Sequence, residues 1–150
     1  LSRSADCLKS YLTAEDRKKE SDGVLLDICR SGYEECCEEY RQLFETVKPY
    51  QKRNGAFTWQ LGAIEGPEDS SATAMIAYAA LMWRRQEGGG WEEARELVEK
   101  ASSYLAGCEK DGKIYRCLAE CMGFAEYPQV YGAYPWSLGP SLGVLRKKGV

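Results

Sequence analysis

The chain has 150 residues, 44% of them hydrophobic and 29% charged, which is the composition of about one globular domain. Its 20 basic and 23 acidic residues give a net charge of −3, and no apolar run is long enough to span a bilayer, so neither nucleic acid nor a membrane is expected as a partner. Histidine is absent, which excludes Ser-His-Asp and Cys-His catalysis and His-ligated zinc.

Periodicity predicts amphipathic helices in the first third of the chain. Apolar residues recur at steps of three and four within residues 1–20, and again over residues 33–47, where glutamates fill the opposite face. Residues 24–29 form a short apolar stretch between these two patterns. The first pattern consists of Ala5, Leu8, Tyr11 and Leu12, and the second of Tyr33, Cys36, Cys37, Tyr40, Leu43, Phe44 and Val47.

The rest of the chain predicts helices of two alternating kinds. Residues 70–83 have almost no polar face, so we expect a helix enclosed by protein on all sides, with Met75 inside. After the glycines at 88–90, residues 91–105 return to a single apolar stripe opposite charged side chains. Residues 136–145 are apolar and Gly-rich, which predicts a second inner helix.

Three polar-glycine pairs punctuate these patterns: Asp22-Gly23, Asn54-Gly55 and Asp111-Gly112. Each pair is expected to end a helix, as glycine commonly does just after a helix C-terminus. No alternating pattern indicates a pair of β-strands. An all-α fold is therefore expected.

Alternation of enclosed and one-sided helices is what an α/α toroid requires, in which an outer ring of helices surrounds an inner ring. We expect residues 1–150 to form a single such domain. Because 150 residues hold only about six helices with their connections, they supply about half of a closed ring. To complete the ring, either the chain is the C-terminal part of a longer enzyme or two copies pair as a homodimer. The start at Leu1 rather than Met is expected of a chain that is trimmed or is a piece of something longer. A small helical bundle is the alternative.

Cysteine usage indicates the compartment. The seven cysteines are odd in number and form no paired Cys-x-x-Cys motif, so neither a disulfide framework nor a metal site is favoured. Reduced and mostly packed thiols are expected, as in a cytoplasmic protein. The cysteines are Cys7, Cys29, Cys36, Cys37, Cys108, Cys117 and Cys121.

Two segments between helices carry the candidate binding residues. Residues 55–71 place Trp59 and Gln60 close before Asp69, Ser70 and Ser71, and an indole beside amide, carboxylate and hydroxyl groups suits a sugar. The alternative for Asp69 or Ser70 is helix capping alone.

The second segment, residues 111–136, is rich in aromatic residues and is expected to line a pocket. Its candidate sugar-binding residues are Tyr131, Tyr134 and Trp136, and Arg116 with Lys113 is suited to a substrate carboxylate, unless these cations are only solvated.

The run Asp69-Ser70-Ser71-Ala72-Thr73-Ala74-Met75-Ile76-Ala77-Tyr78-Ala79 resembles the C-terminal half of glycoside hydrolase family 105 and its relative family 88. Preceding and following residues extend the resemblance over about residues 40–144, through Trp59-Gln60-Leu61, Asp111-Gly112-Lys113-Ile114-Tyr115 and Tyr131-Gly132. The resemblance implies an (α/α)6 barrel that removes a 4,5-unsaturated uronic acid from pectin- or glycosaminoglycan-derived oligosaccharides, without a metal or cofactor.

Catalytic residues stay unassigned. In the resembled family the proton-donating Asp lies in the N-terminal half, and this sequence shows no counterpart. Asp22 and Asp27 are the available substitutes, but nothing in their sequence context supports that role. One alternative is therefore a non-catalytic carbohydrate-binding or assembly module that keeps the toroid fold. Another is a cyclase of the triterpene type, because Gln51-x3-Gly55-x-Phe57 is similar to the aromatic repeat of those enzymes, but their Asp-rich catalytic run is missing.

Overall fold

The computed structural model describes residues 23–83, 91–120 and 129–146. The chain divides after Val47 into two compact units, which are described separately. The predicted helix within residues 1–20 lies outside the described residues. The expectation of a single domain stays a prediction.

The described part of the first unit is one helix, α1, over Gly23–Val47. It begins ten residues before the predicted start at Tyr33, so the short apolar stretch at residues 24–29 and the predicted pattern at residues 33–47 belong to one helix. The helix runs through Gly32 because a glycine inside a helix costs only about 1 kcal/mol, which a 25-residue helix absorbs. Tyr40 and Phe44 are buried, and Leu43 is exposed.

The second unit contains the three helices expected from periodicity. They are α2 over Ser70–Trp83, α3 over Trp91–Cys108 and α4 over Pro135–Leu145, and a short 3-10 helix covers Lys48–Tyr50. The mainly helical class is confirmed. Among the helices that the structure describes, none is both long and apolar enough to cross a membrane.

Three antiparallel pairs of two-residue strands connect these helices, contrary to the expectation of no strand pair. β1 (Phe57–Thr58) pairs with β2 (Glu68–Asp69), β3 (Glu109–Lys110) with β4 (Lys113–Ile114), and β5 (Cys117–Leu118) with β6 (Tyr131–Gly132). Strands of two residues are too short for alternation to appear in the sequence.

Two of the three polar-glycine pairs have roles other than those expected, and the helix that Asp22-Gly23 is predicted to end lies outside the described residues. Asp111 and Gly112 have φ values of 52° and 73° and form the two-residue turn between β3 and β4, after α3 has already ended at Cys108. An Asp-Gly pair is a strong hairpin signal because it tolerates positive φ at both positions. Asn54-Gly55 likewise lies in a turn beyond the helical residues, which end at Tyr50.

The core of the second unit lies where α2 packs against both α3 and α4. α2 contributes mostly small side chains to this core, and α3 contributes its predicted apolar stripe. The expectation that α2 is enclosed on all sides is wrong, because Met75 is 47% exposed. An apolar sequence permits burial on every side, but burial also needs neighbours on every side. The buried apolar residues are Ala74, Ala77, Ala80, Leu81 and Met82 of α2, and Ala94, Leu97, Val98, Ala101, Tyr104, Leu105 and Cys108 of α3.

The helices of this unit alternate in direction. α2 and α4 both begin beside the segment 114–118, and Gly143, late in α4, lies against the ring of Tyr78 in the second half of α2, so these two helices run parallel. α3 ends where the chain returns to the start of α2, since the Arg116 carbonyl accepts a hydrogen bond from the Ser70 N–H at 2.9 Å. It therefore runs opposite to both.

Candidate functional site

Asp69 lies at the junction between β2 and α2 and caps the helix. Its Oδ1 accepts the Ser71 N–H at 3.0 Å, and its Oδ2 accepts the Ala72 N–H at 3.3 Å, which satisfies two of the unpaired donors in the first helical turn. The Ser71 hydroxyl also contacts both carboxylate oxygens, at 2.9 and 2.8 Å. Of the two capping residues that the sequence allowed, Asp69 is therefore the cap.

The same carboxylate also reaches across the fold to β5. Its Oδ1 accepts the Leu118 N–H at 3.1 Å, a contact between residues 49 positions apart. Asp69 is only 5% exposed, and both of its oxygens are already bonded to donors of the protein. Direct contact of Asp69 with a sugar stays a prediction, and the geometry gives this side chain a second role, in joining β5 to α2.

Thr73 secures the start of α2 from the other side. Its Oγ1 accepts the Phe57 N–H at 2.8 Å and donates to the Asp69 carbonyl at 2.8 Å. Phe57 and Thr73 are buried, so this bridge fixes β1 against the first turn of α2 away from bulk solvent.

Three of the predicted aromatic residues gather beside Leu118. Tyr131 pairs with Leu118 in the β5–β6 ladder, and the Trp136 Nε1–H donates to the Leu118 carbonyl at 3.3 Å. The rings of Tyr134 and Trp136 are stacked, with centroids 4.8 Å apart and an interplanar angle of 3°. All three aromatic side chains are half-buried. We call Tyr131, Tyr134 and Trp136 the aromatic cluster.

Gly132 belongs to this arrangement because the Tyr134 ring rests on it. A Cβ at position 132 would come within 3.2 Å of that ring. Partial burial, and then the charge of the Asp69 carboxylate, raise the pKa of the Tyr131 phenol. Its hydroxyl donates a hydrogen bond to Gln129 Oε1 at 3.4 Å.

Cys117, on the same strand, is a buried neighbour of the cluster that sequence reasoning did not single out. Its thiol is close to the hydroxyls of Ser71 and Ser137 and to Trp136, and burial raises its pKa. A buried thiol with a raised pKa is typical of a cysteine that packs in a core. Leu118 was missed as well, because it acts through its peptide group, which leaves no signal in side-chain patterns.

Arg116 belongs to a different cluster. Its Nη1 donates to Glu68 Oε2 at 3.3 Å, and Glu68 also accepts from Asn54 Nδ2 at 2.6 Å. Since Glu68 and Asp69 are consecutive in a strand, their side chains leave opposite faces. The side chain of Arg116 is 63% exposed, and its φ of 60° is unusual for a non-glycine residue.

The remaining candidates lie near the same helix start. Trp59 and Gln60 directly follow β1, Trp59 half-buried and Gln60 exposed, and the Gln60 carbonyl accepts the Thr58 hydroxyl at 2.7 Å. Ser70 is fully buried, and its Oγ makes no hydrogen bond. Ser71 is buried as well and bonds to Asp69. Sugar contacts by these four residues stay predictions.

Over residues 23–83, 91–120 and 129–146, no group of three or more Cys, Asp or Glu residues is placed to hold a metal ion. The chain matches no protein-family model, no curated protein and no solved structure.

Proposed function

We propose that the second unit supplies the sugar-binding wall of an (α/α)6 toroid that acts on oligosaccharides ending in a 4,5-unsaturated uronic acid. The observation that carries the proposal is the aromatic cluster, which lies at the start of α2 beside the run that resembles the uronyl hydrolases. Stacked aromatic rings with hydroxyl and amide groups nearby suit the apolar face and the hydroxyl edge of a pyranose ring.

The order of the helices supports the toroid. Two apolar helices, α2 and α4, run parallel, and the amphipathic α3 returns between them in the opposite direction. An inner helix, an outer helix and a second inner helix follow one another in this way in an α/α toroid. Three helices fill part of a ring, and a second copy of the chain or an N-terminal half completes it.

Arg116 is the group proposed to meet the uronate carboxylate. Its guanidinium contacts Glu68 at 3.3 Å and interacts with the Tyr104 phenol, but its side chain is 63% exposed, so donors remain for a ligand. Its backbone is held in place by the hydrogen bond from Ser70 to its carbonyl.

The proton donor for hydrating the double bond is proposed to lie elsewhere than in the described side chains. Among those side chains, Asp69 is the one buried carboxylate, and its oxygens are taken up by the cap and by Leu118. This observation also favours a second candidate function, a non-catalytic carbohydrate-binding or assembly module. The two are separated by the ultraviolet absorbance of the substrate double bond, which falls only if the sugar is hydrated.

Titration calorimetry with an unsaturated uronyl disaccharide tests the binding proposal. Tyr134→Ala removes one ring of the stack and is expected to weaken the Kd at least about tenfold. Tyr115→Ala is the matched control, because Tyr115 is an exposed tyrosine outside the aromatic cluster, and it should leave the Kd within about twofold. Absence of binding to the unmodified protein, or equal effects of the two variants, contradicts the proposal.

A second pair of variants tests the carboxylate contact. Arg116→Gln is expected to weaken binding of the unsaturated uronyl disaccharide about tenfold, whereas Lys110→Gln, which removes an exposed cation from β3, should not. If both variants lose the same affinity, the loss comes from the change in net charge, and Arg116 does not belong to the proposed site.

A further inference from the structure

We propose that Asp69 is a positioning residue, whose carboxylate sets the orientation of the Trp136 indole through the peptide groups of Leu118. The inference rests on the proposed function in one respect only, namely that the ring so oriented binds sugar. The connection itself is independent of any ligand, because every contact in it joins groups of this chain.

The first link is the hydrogen bond from the Leu118 N–H to Asp69 Oδ1 at 3.1 Å. Asp69 cannot turn freely, because its oxygens also accept the Ser71 and Ala72 N–H groups of the first turn of α2. Helix α2 is held in turn by the Thr73 bridge to Phe57. The carboxylate therefore fixes β5 relative to a rigid element.

The second link is the hydrogen bond from Trp136 Nε1–H to the Leu118 carbonyl at 3.3 Å. This hydrogen bond and the stack on the Tyr134 ring, with centroids 4.8 Å apart and an interplanar angle of 3°, together orient the indole. Asp69 therefore holds Leu118 by its N–H group, and the Leu118 C=O group in turn holds the Trp136 indole.

Preorganisation explains why such a connection matters for binding. A ring that is already held flat loses little rotamer freedom when a sugar stacks on it, and immobilising a free side chain costs affinity. Gly132 contributes to the same arrangement, since any larger residue there presses on the Tyr134 ring. The stacked pair is thereby presented as one flat surface.

The test compares two variants that both keep a helix cap but differ in reach. Asp69→Asn has the same length, so its Oδ1 still accepts the Ser71 and Leu118 N–H groups. Asp69→Ser also caps a helix well, but its Oγ lies about one bond short of Leu118. Glu68→Ser is the matched control, because it shortens the neighbouring acidic residue on the opposite face of β2.

The readout in the free protein is the indole N–H signal of Trp136 in nitrogen-proton NMR spectra. The chain has four tryptophans, so the signal is assigned by its loss in Trp136→Phe. In Asp69→Ser this signal is expected to shift and to exchange with solvent at least about tenfold faster, while Asp69→Asn and Glu68→Ser leave it close to its original position. An unchanged Trp136 signal in Asp69→Ser overturns the proposal.

A measurement on the unmodified protein keeps the inference testable if Asp69→Ser fails to fold. The Leu118 amide and the Trp136 indole N–H are both expected to exchange at least about tenfold slower than free groups, because both are hydrogen-bonded donors. Exchange of either group at the rate of a free group overturns the connection.

Binding of the unsaturated uronyl disaccharide then separates this inference from the proposed function. We expect Asp69→Ser to weaken the Kd about tenfold and Asp69→Asn to restore most of the affinity. If the Trp136 signal responds as expected but the unmodified protein binds no sugar, the positioning role stands and the proposed function fails. If the sugar binds with equal Kd to both Asp69 variants, Asp69 does not position the binding surface.

Discussion

At the scale of single residues, the second unit depends on a few positions where backbone and side chains meet closely. Gly55 has a φ of 90°, and a Cβ there would lie 2.1 Å from the Lys100 carbonyl oxygen. Gln51 Nε2 donates to the carbonyls of both Gly55 and Leu97, at 3.1 and 2.9 Å. The turn before β1 is therefore pressed directly onto α3, which only glycine permits.

Gly55→Ala is expected to lower the free energy of unfolding by about 3 kcal/mol or more, because it combines a strained φ with overlap against backbone. Gly62→Ala is the matched control, since a Cβ at position 62 meets no atom within 4 Å, and it should change stability by no more than about 0.5 kcal/mol. Urea denaturation measures both. Similar values for the two variants would mean that Gly55 is not in close contact with α3.

The sequence predicted part of the site at this scale and missed part of it. Asp69 was recognised as a possible cap because an acidic residue directly precedes an apolar helical pattern. Its bond to Leu118 was not foreseeable, because that contact joins residues 49 positions apart through a backbone N–H. Arg116 is predicted from the sequence to lie near a ligand carboxylate, but its pairing with Glu68 could not be predicted. That pairing depends on Glu68 and Asp69 pointing to opposite faces of the short strand β2.

At the scale of elements, periodicity predicted α2, α3 and α4 because each carries a helical pattern over ten or more residues. It failed for the strands, which are two residues long and are defined by pairing. It also placed the start of α1 too late, because residues 24–29 are a short apolar stretch with Asp27 as the one charged residue, too short to show a helical period by itself. Hydrophobic periodicity therefore predicts the helices, but it does not predict the short strands and turns that position the site.

The exposure of Met75 leads to a prediction about α2. At concentrations where the chain is monomeric, Met75→Asp is expected to cost about 1 kcal/mol or less, mainly through helix propensity, because the carboxylate then stays in water. Ala77→Asp, on the same helix, is expected to cost about 3 kcal/mol or more, because Ala77 is fully buried. Thermal and urea denaturation of the two variants give the comparison. If Met75→Asp lowers the free energy of unfolding by several kcal/mol, Met75 lies in the core, as the sequence alone predicts.

At the scale of the whole molecule, apolar residues remain uncovered on helices whose sequences are almost wholly apolar. Met75 of α2 and Leu142 of α4 are both more than two-fifths exposed. Large exposed apolar side chains on such helices favour association. In the proposed half-ring, a second copy of the chain or an N-terminal half covers them.

The isolated chain is accordingly expected to dimerise or to aggregate at micromolar concentration. Sedimentation velocity measures this directly, and Met75→Lys, which places a charge on the exposed face, should shift the population towards monomer. A stable monomer of the unmodified chain argues against the half-ring, although not against sugar binding by the aromatic cluster.

The proposed function depends above all on the claim that the aromatic cluster beside Leu118 binds the unsaturated uronic acid. Its most direct test is an NMR titration of the unmodified protein with an unsaturated uronyl disaccharide, in which the amide and indole signals that move are mapped onto the structure. We expect the largest shifts at Tyr131, Tyr134 and Trp136, with smaller shifts at Arg116. Shifts confined to other surfaces, such as the charged face of α3 with Glu92, Glu96 and Glu99, or no shifts at millimolar disaccharide, would contradict the claim.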